Sequence, residues 1–337
     1  MAWHKLYWLG SVLLLIYAES LKGDAPAEPP SQKSRRSILV VIGAAGEEEY
    51  GKAFREWSER WRAAFQSDDL LLIDGTNAAK LDEKEHRTQI LDWISKADSE
   101  TSSDESLQER WLVLIGHGTH DPTSAKFNLR GPDISADAIA KAIAPIKAKW
   151  LIVDGTSSSG PFINSLSGEN RIVITATKSG SEQNYARFGD YLSQAITDPS
   201  TDLDHDDCVS ILEAFLAASN RVARFYSDEG RLASEQSLLD DNGDGRGTPA
   251  SFFRGARPVK APANGLKLDG AFASRMLVST FGEPDLRTTE QRAQSDLLAD
   301  QIEFLRARKK ELSEDDYYHE LERLFLEIAK VNGSTGL

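Results

Sequence analysis

The sequence predicts an α/β protein: a mainly parallel sheet with helices on both faces, followed by a C-terminal α-helical hairpin. Three observations predict it. Short apolar runs alternate with longer amphipathic stretches from about residue 37 to 255. The runs are apolar throughout, as strands buried on both faces of a parallel sheet are. Beyond residue 288 the pattern changes to a helical period with no further strand-like run.

Residues 1–20 join His4 and Lys5 to an apolar run over 6–18 and to Ala18-Glu19-Ser20. Small residues stand at the two positions a signal peptidase inspects, so the segment reads as an export signal cut after Ser20. The expected location is periplasmic or extracellular. The run is short for a transmembrane helix, which leaves an uncleaved membrane anchor as the alternative. Residues 21–36, with Pro26, Pro29, Pro30 and the basic cluster from Lys33 to Arg36, have the composition of a linker.

The folded domain is expected over 37–255. Strands are predicted over 38–42, 70–73, 111–115, 150–153 and 172–176; helices are predicted over 47–65, 83–97, 136–146, 186–196 and 210–226. Such alternation implies right-handed βαβ units. Residues 256–287, rich in Pro, Gly and Ala, read as a second linker. The hairpin is expected over 288–332, with helices at 289–310 and 314–330. Leu298, Ile302 and Leu305 form one apolar stripe, while Tyr318, Leu321, Leu324, Phe325 and Ile328 form the other. Ser313, with Asp316 three residues on, caps the second helix. The hairpin packs on the main domain or self-associates.

Composition restricts the partners. A formal charge of −14 over 337 residues argues against phosphate backbones or anionic membranes as the main partner, since these attract clustered Lys and Arg, so nucleic acid is not an expected partner. Cys208 is the only cysteine, and no intrachain disulfide can form. Gly43-Ala44-Ala45-Gly46 resembles half of a dinucleotide fingerprint, but the third glycine is absent and Glu47, Glu48 and Glu49 would repel phosphates. No nucleotide is expected.

The chemistry is concentrated where two apolar strands end. Residues 112–120 read Leu-Val-Leu-Ile-Gly-His-Gly-Thr-His, and residues 151–160 read Leu-Ile-Val-Asp-Gly-Thr-Ser-Ser-Ser-Gly. Parallel sheets place their working residues at the carboxyl ends of strands, so His117 and Ser157 belong to one rim. The pair resembles the caspase, legumain and gingipain superfamily of cysteine peptidases, in which one strand ends in His-Gly and the next in Cys-x-Ser-Gly. That resemblance covers about residues 37–255 and implies a three-layer caspase-like fold. His117 would be the imidazole, Ser157 would stand at the nucleophile, and the amides of Gly118 and Ser157 would hold the oxyanion. An Asp-rich loop leading into Glu213-Ala214-Phe215 is similar to bacterial members.

Serine in place of cysteine changes the chemistry, because a hydroxyl is not ionised near neutrality and needs a base aligned on its proton. Ser157 is therefore a serine nucleophile with a retuned His117, the relic of a lost active site, or part of a Ser/Gly-rich loop whose likeness is accidental. A shift of register by one residue would put Thr156 at the rim instead. Glu182 and Asp190, in the segment after the next strand, could favour basic side chains or be ordinary surface charges. His120 and Asp121 lie close enough to His117 to raise a zinc site, yet no helix holds the two rings on one face.

Two acidic loops match the calcium-loop template. Over 202–213, Asp202, Asp204 and Asp206 fall at the first, third and fifth positions, Cys208 would lend its carbonyl, and Glu213 falls at the bidentate twelfth position; Asp207 stands where glycine is usual. Over 240–251, Asp240, Asn242 and Asp244 repeat the pattern with Gly245 at the sixth position, but Ser251 at the twelfth cannot chelate in the bidentate mode. A structural Ca²⁺ is expected. The functional expectation is an exported peptidase-fold protein, either silent or a serine-type peptidase using Ser157 and His117. The alternative is a calcium-stabilised protein-interaction module without hydrolase activity. A peptide or protein is the expected substrate or partner.

Overall fold

The computed structural model describes residues 36–76, 85–96, 108–259, 269–282 and 289–333. The expected signal and almost all of the first linker lie outside these residues. Among the described residues no helix is long and apolar enough to cross a membrane.

The strands are β1 (Arg36–Ile42), β2 (Asp69–Asp74), β3 (Glu109–Ile115), β4 (Gly118–Asp121), β5 (Ser124–Phe127), β6 (Ile134–Ser135), β7 (Lys149–Asp154), β8 (Arg171–Thr175), β9 (Cys208–Ser210), β10 (Leu238–Asp240), β11 (Phe253–Arg254), β12 (Arg257–Pro258) and β13 (Leu277–Thr280). The α-helices are α1 (Glu48–Ala64), α2 (His86–Ser95), α3 (Ala136–Ile143), α4 (Phe162–Leu166), α5 (Phe188–Ala195), α6 (Ile211–Asp228), α7 (Thr289–Ala307) and α8 (Glu314–Gly333).

The central sheet runs β10-β8-β7-β3-β1-β2, parallel except for β10, which pairs antiparallel with β8. Apart from the edge strand β2, its strands bury both faces. Ile38, Val40 and Ile42 of β1 pack with Phe54, Trp57 and Trp61 of α1 and with α5 and α6, whereas Leu39 and Val41 pack with Ile90, Trp93 and Ile94 of α2 and with α3 and α4. The two-residue side-chain period of a strand thus divides one apolar run between two cores, which explains why these runs carry no alternation. The result is the α/β architecture that the sequence predicts. Arg110 is buried in it, its guanidinium 4.0 Å from the Trp93 ring, with Nη2 donating to the Trp93 carbonyl at 2.8 Å.

One expected boundary is corrected. The segment read as a linker over 256–287 contains β13, which pairs antiparallel with β9, and it buries Ala273, Met276 and Val278 in the core beside α6. Its Gly and Pro content suggests a connector, but Ala273, Met276 and Val278 in its described part join the core that α6 also lines. The hairpin is present: Leu298, Ile302 and Leu305 of α7 pack with Tyr317, Leu324 and Val331 of α8 in a core cluster of their own, with Leu321 and Ile328 at its edge, whereas Tyr318 and Phe325, expected in the stripe, are exposed.

Candidate active site at the carboxyl rim of the sheet

β3 and β7 are adjacent and parallel, with Leu114 opposite Asp154, so the segments that follow them leave the sheet side by side. His117 lies two residues beyond β3 and is half-buried. Its ring meets Tyr50 and Phe54 of α1 edge-on, at centroid distances of 5.0 and 5.2 Å. Nε2 is 3.1 Å from the Ala45 carbonyl oxygen. A carbonyl only accepts, so this contact assigns the hydrogen of a neutral ring to Nε2 and makes Nδ1 its basic nitrogen. The turn after β1 serves the imidazole in this way. Its first two amides are already used, Gly43 donating to Ile115 and Ala44 to Asn128.

The Ser157 hydroxyl donates to the Gly118 carbonyl at 3.4 Å, and the residue is 6 % exposed. Ser157 therefore lies against the residue that follows His117, with its proton turned to a backbone oxygen instead of the ring. Thr156 is fully buried; its amide and hydroxyl both donate to Asp154 Oδ1, at 3.0 and 2.6 Å. Ser158 holds φ of 57° and donates its amide to the Glu182 carbonyl at 2.8 Å. Ser159 Oγ accepts the Thr177 amide and shares a hydrogen bond with the Thr177 hydroxyl, each at 3.1 Å. The turn is stapled to the end of β8 and to the loop beyond it, and all four of its hydroxyl residues are buried.

Asp154 ends β7 beneath this turn. It is 0 % exposed, its Oδ2 has no hydrogen-bond partner among the described residues, and burial pushes its carboxyl up to about 7 against the opposing bonds from Thr156. Sequence reasoning passed over it as the last residue of an apolar run. Tyr185 was also passed over: its ring stacks on Tyr50 at 5.2 Å and on Phe54 at 6.5 Å, closing an aromatic wall around His117. Burial, reinforced by Asp190, raises its phenol above the ordinary range.

The other rim candidates have structural partners. Glu182 Oε2 accepts the amides of Lys178 and Gln236 at 2.9 and 3.2 Å. Asp190 Oδ1 accepts from Arg60 at 2.6 Å and from Gln194 at 2.9 Å. His120 packs against Gly180, where a β-carbon would fall 2.2 Å from its Nδ1, and Asp121 Oδ1 accepts from Thr123 and Ser124 in the turn before β5. Among the described residues the one group of His, Cys, Asp or Glu side chains spaced to hold a metal is Asp202, Asp204 and Asp206, with ligand atoms within 4.8 Å of one another.

That first acidic loop differs from the template at its end. Glu213 turns inward: Oε1 accepts the Leu203 amide, and Oε2 accepts the Ser210 amide and hydroxyl, each at 2.8 Å. Ser210 Oγ in turn accepts the Glu213 amide at 3.3 Å, completing a reciprocal cap on α6. Both Glu213 oxygens thus serve protein donors at the start of α6, at the position where the calcium-loop template has its bidentate ligand. Asp202 organises the loop by accepting the amides of His205, Asp206 and Asp207, and Asp207 takes φ of 63°, the conformation for which glycine is usual. Cys208 lies in β9 opposite Thr280, its thiol 3.7 Å from that hydroxyl and pushed up chiefly by burial. In the second loop, Asn242 Oδ1 accepts the Asp244 amide and Asp244 Oδ1 the Arg246 amide, both at 2.8 Å.

No protein-family model and no curated protein sequence matches the chain. Among solved structures it is similar to the Drosophila initiator caspase Dronc, with 16% identity and a TM-score of 0.42 over 64% of this chain and 83% of that one. It is also similar to Raptor of Chaetomium thermophilum, with 9% identity and a TM-score of 0.33 over 49% of this chain and 18% of that one. The strand order and pairing show a mainly parallel six-stranded sheet, and helices flank it on both faces.

Proposed function

We propose that this chain is a catalytically silent protein of peptidase-type α/β fold, which keeps the rim of a peptidase but does not assemble a nucleophile and base on it. One observation carries this reading: the Ser157 hydroxyl donates to the Gly118 carbonyl, while His117 directs Nε2 to Ala45. An alcohol acts as a nucleophile only with a base on its proton, and this proton has another acceptor. The rim would then work by binding a peptide or protein segment, and no turnover follows. An exported location belongs to the same proposal, on the strength of the amino-terminal pattern.

The test is fluorophosphonate labelling of the full chain together with cleavage of a peptide library. No Ser157-dependent labelling and no cleavage are expected. Labelling that disappears in Ser157→Ala would overturn the reading. It would favour a second one, a serine-type peptidase in which the free Nδ1 of His117 takes the Ser157 proton after a rotation of the hydroxyl; the Nε2 contact with Ala45, which leaves Nδ1 basic, is the observation on its side.

A further inference from the structure

We propose that the loop after β10 is a calcium site built on Asp240, Asn242 and Asp244, a property separate from the reading of Ser157. Asp240 is 0 % exposed, and its carboxylate is turned into the loop: Oδ1 accepts the Gly243 amide and the Ser167 hydroxyl, each at 3.2 Å. Its other oxygen, Oδ2, is buried and among the described residues has no hydrogen-bond partner. A solvent-excluded carboxylate oxygen without a partner is costly, and a ligand that supplies positive charge removes that cost.

The neighbours of Asp240 supply no compensation. Asp241 and Asp269 are buried in the same corner, but their oxygens are taken: Asp241 accepts the amides of Gly270, Phe272 and Ala273, and Asp269 accepts those of Asp241 and Asn242 and the Thr248 hydroxyl. Three carboxylates therefore share one corner, and among the described residues none of them is ion-paired to Lys or Arg. The donors that Asp240, Asn242 and Asp244 offer are all hard oxygens, which selects calcium or magnesium over softer transition metals. A loop of alternate residues with glycines at φ of 77° and 73° is adaptable, and adaptable oxygen sets favour the larger ion. Serine at the twelfth position means that the ion, held without a bidentate partner from the loop, is bound at the weaker end of the calcium range.

Calcium chloride titrated calorimetrically into the full chain is the test, with the same titration on variants. Saturable binding is expected, weakened about tenfold or more in Asp244→Asn. Asp244 is exposed, so this variant should keep the parent melting temperature in chelator. Asp240→Asn should lose the binding as well, and Asp204→Asn, in the first acidic loop, should retain it. No saturable binding at millimolar calcium, or binding unchanged in both Asp240→Asn and Asp244→Asn, overturns the proposal. So does binding lost only in Asp204→Asn, which would place the ion in the other loop.

Discussion

A β-carbon on Gly118 would stand 2.3 Å from the Ser157 carbonyl oxygen and 2.5 Å from the Thr156 hydroxyl. The backbone after His117 and the turn after β7 are thus in direct contact, and the distance between them is set by the absence of a side chain at Gly118. What the sequence displays as a His-Gly pair is, in the fold, the packing requirement of the neighbouring strand's turn.

The Gly118→Ala substitution is accordingly expected to destabilise the protein by about 2 kcal/mol or more, the usual cost of forcing an atom into a closely packed site. The Ser157 carbonyl it would strike is backbone and cannot rotate away, and the Thr156 side chain is held by its hydroxyl bond to Asp154. Chemical denaturation of the two proteins measures the difference. An unchanged midpoint would mean that the rim yields, and that the contact does not fix the position of Ser157.

Asp154 makes the rim sensitive to pH. Its folded value of about 7 lies above the ordinary 3.8, so the native state holds this proton more tightly than the unfolded chain does. Its contribution is fully favourable below about pH 4 and is lost as pH rises through about 7, with a ceiling of about 4 kcal/mol. Asp154→Asn keeps an acceptor for Thr156 and carries no charge. The variant should therefore be more stable than the parent at pH 8, and the advantage should shrink at pH 5. Asp269 titrates in the same window and the same direction, so the informative quantity is the difference between the two proteins. Parallel stability curves from pH 4 to 8 would remove Asp154 from the explanation.

The strands and helices of the central domain were legible because their signals are local: wholly apolar runs mark β1, β3, β7 and β8, and amphipathic stretches mark α1 and α6. The rim was legible to the extent that His117 and Ser157 follow adjacent buried strands. Direction was not legible, since neither the Ser157 proton turning to Gly118 nor the His117 ring turning to Ala45 leaves a trace in residue order. Glu213 had two local signals, the twelfth position of a calcium loop and the end of a Ser-x-x-Glu capping box, and the box was overlooked. Asp154 and Tyr185 gave no signal, because their importance comes from burial and from neighbours distant in the chain.

The capping box has its own consequence. Glu213→Ala should lower stability by about 2 kcal/mol, since it removes the cap of α6 and leaves the amides of Leu203 and Ser210 without their acceptor. The loss should be equal in millimolar calcium and in chelator, because both carboxylate oxygens already serve protein donors. A thermal scan under the two conditions separates the roles: a deficit present only with calcium would restore Glu213 to the metal and refute the cap as its main function.

The hairpin offers a test of how the folded parts divide. Leu324 is 1 % exposed and packs with Leu298, Ile302 and Leu305 of α7, in a cluster that shares no buried residue with the two cores of the sheet. Ser313 closes the turn between the helices by accepting the Asp316 amide at 3.1 Å and donating to its carboxylate at 2.7 Å. Leu324→Ala should cost about 2–5 kcal/mol, the range for truncating a buried leucine. With separate cores, the cost should fall on the hairpin alone. Hydrogen exchange should then show faster opening of amides in α7 and α8, with protection unchanged in β1, β3 and β7. A matching loss of protection in those strands would show one cooperative unit, and the hairpin would have to be counted as part of the sheet's own support.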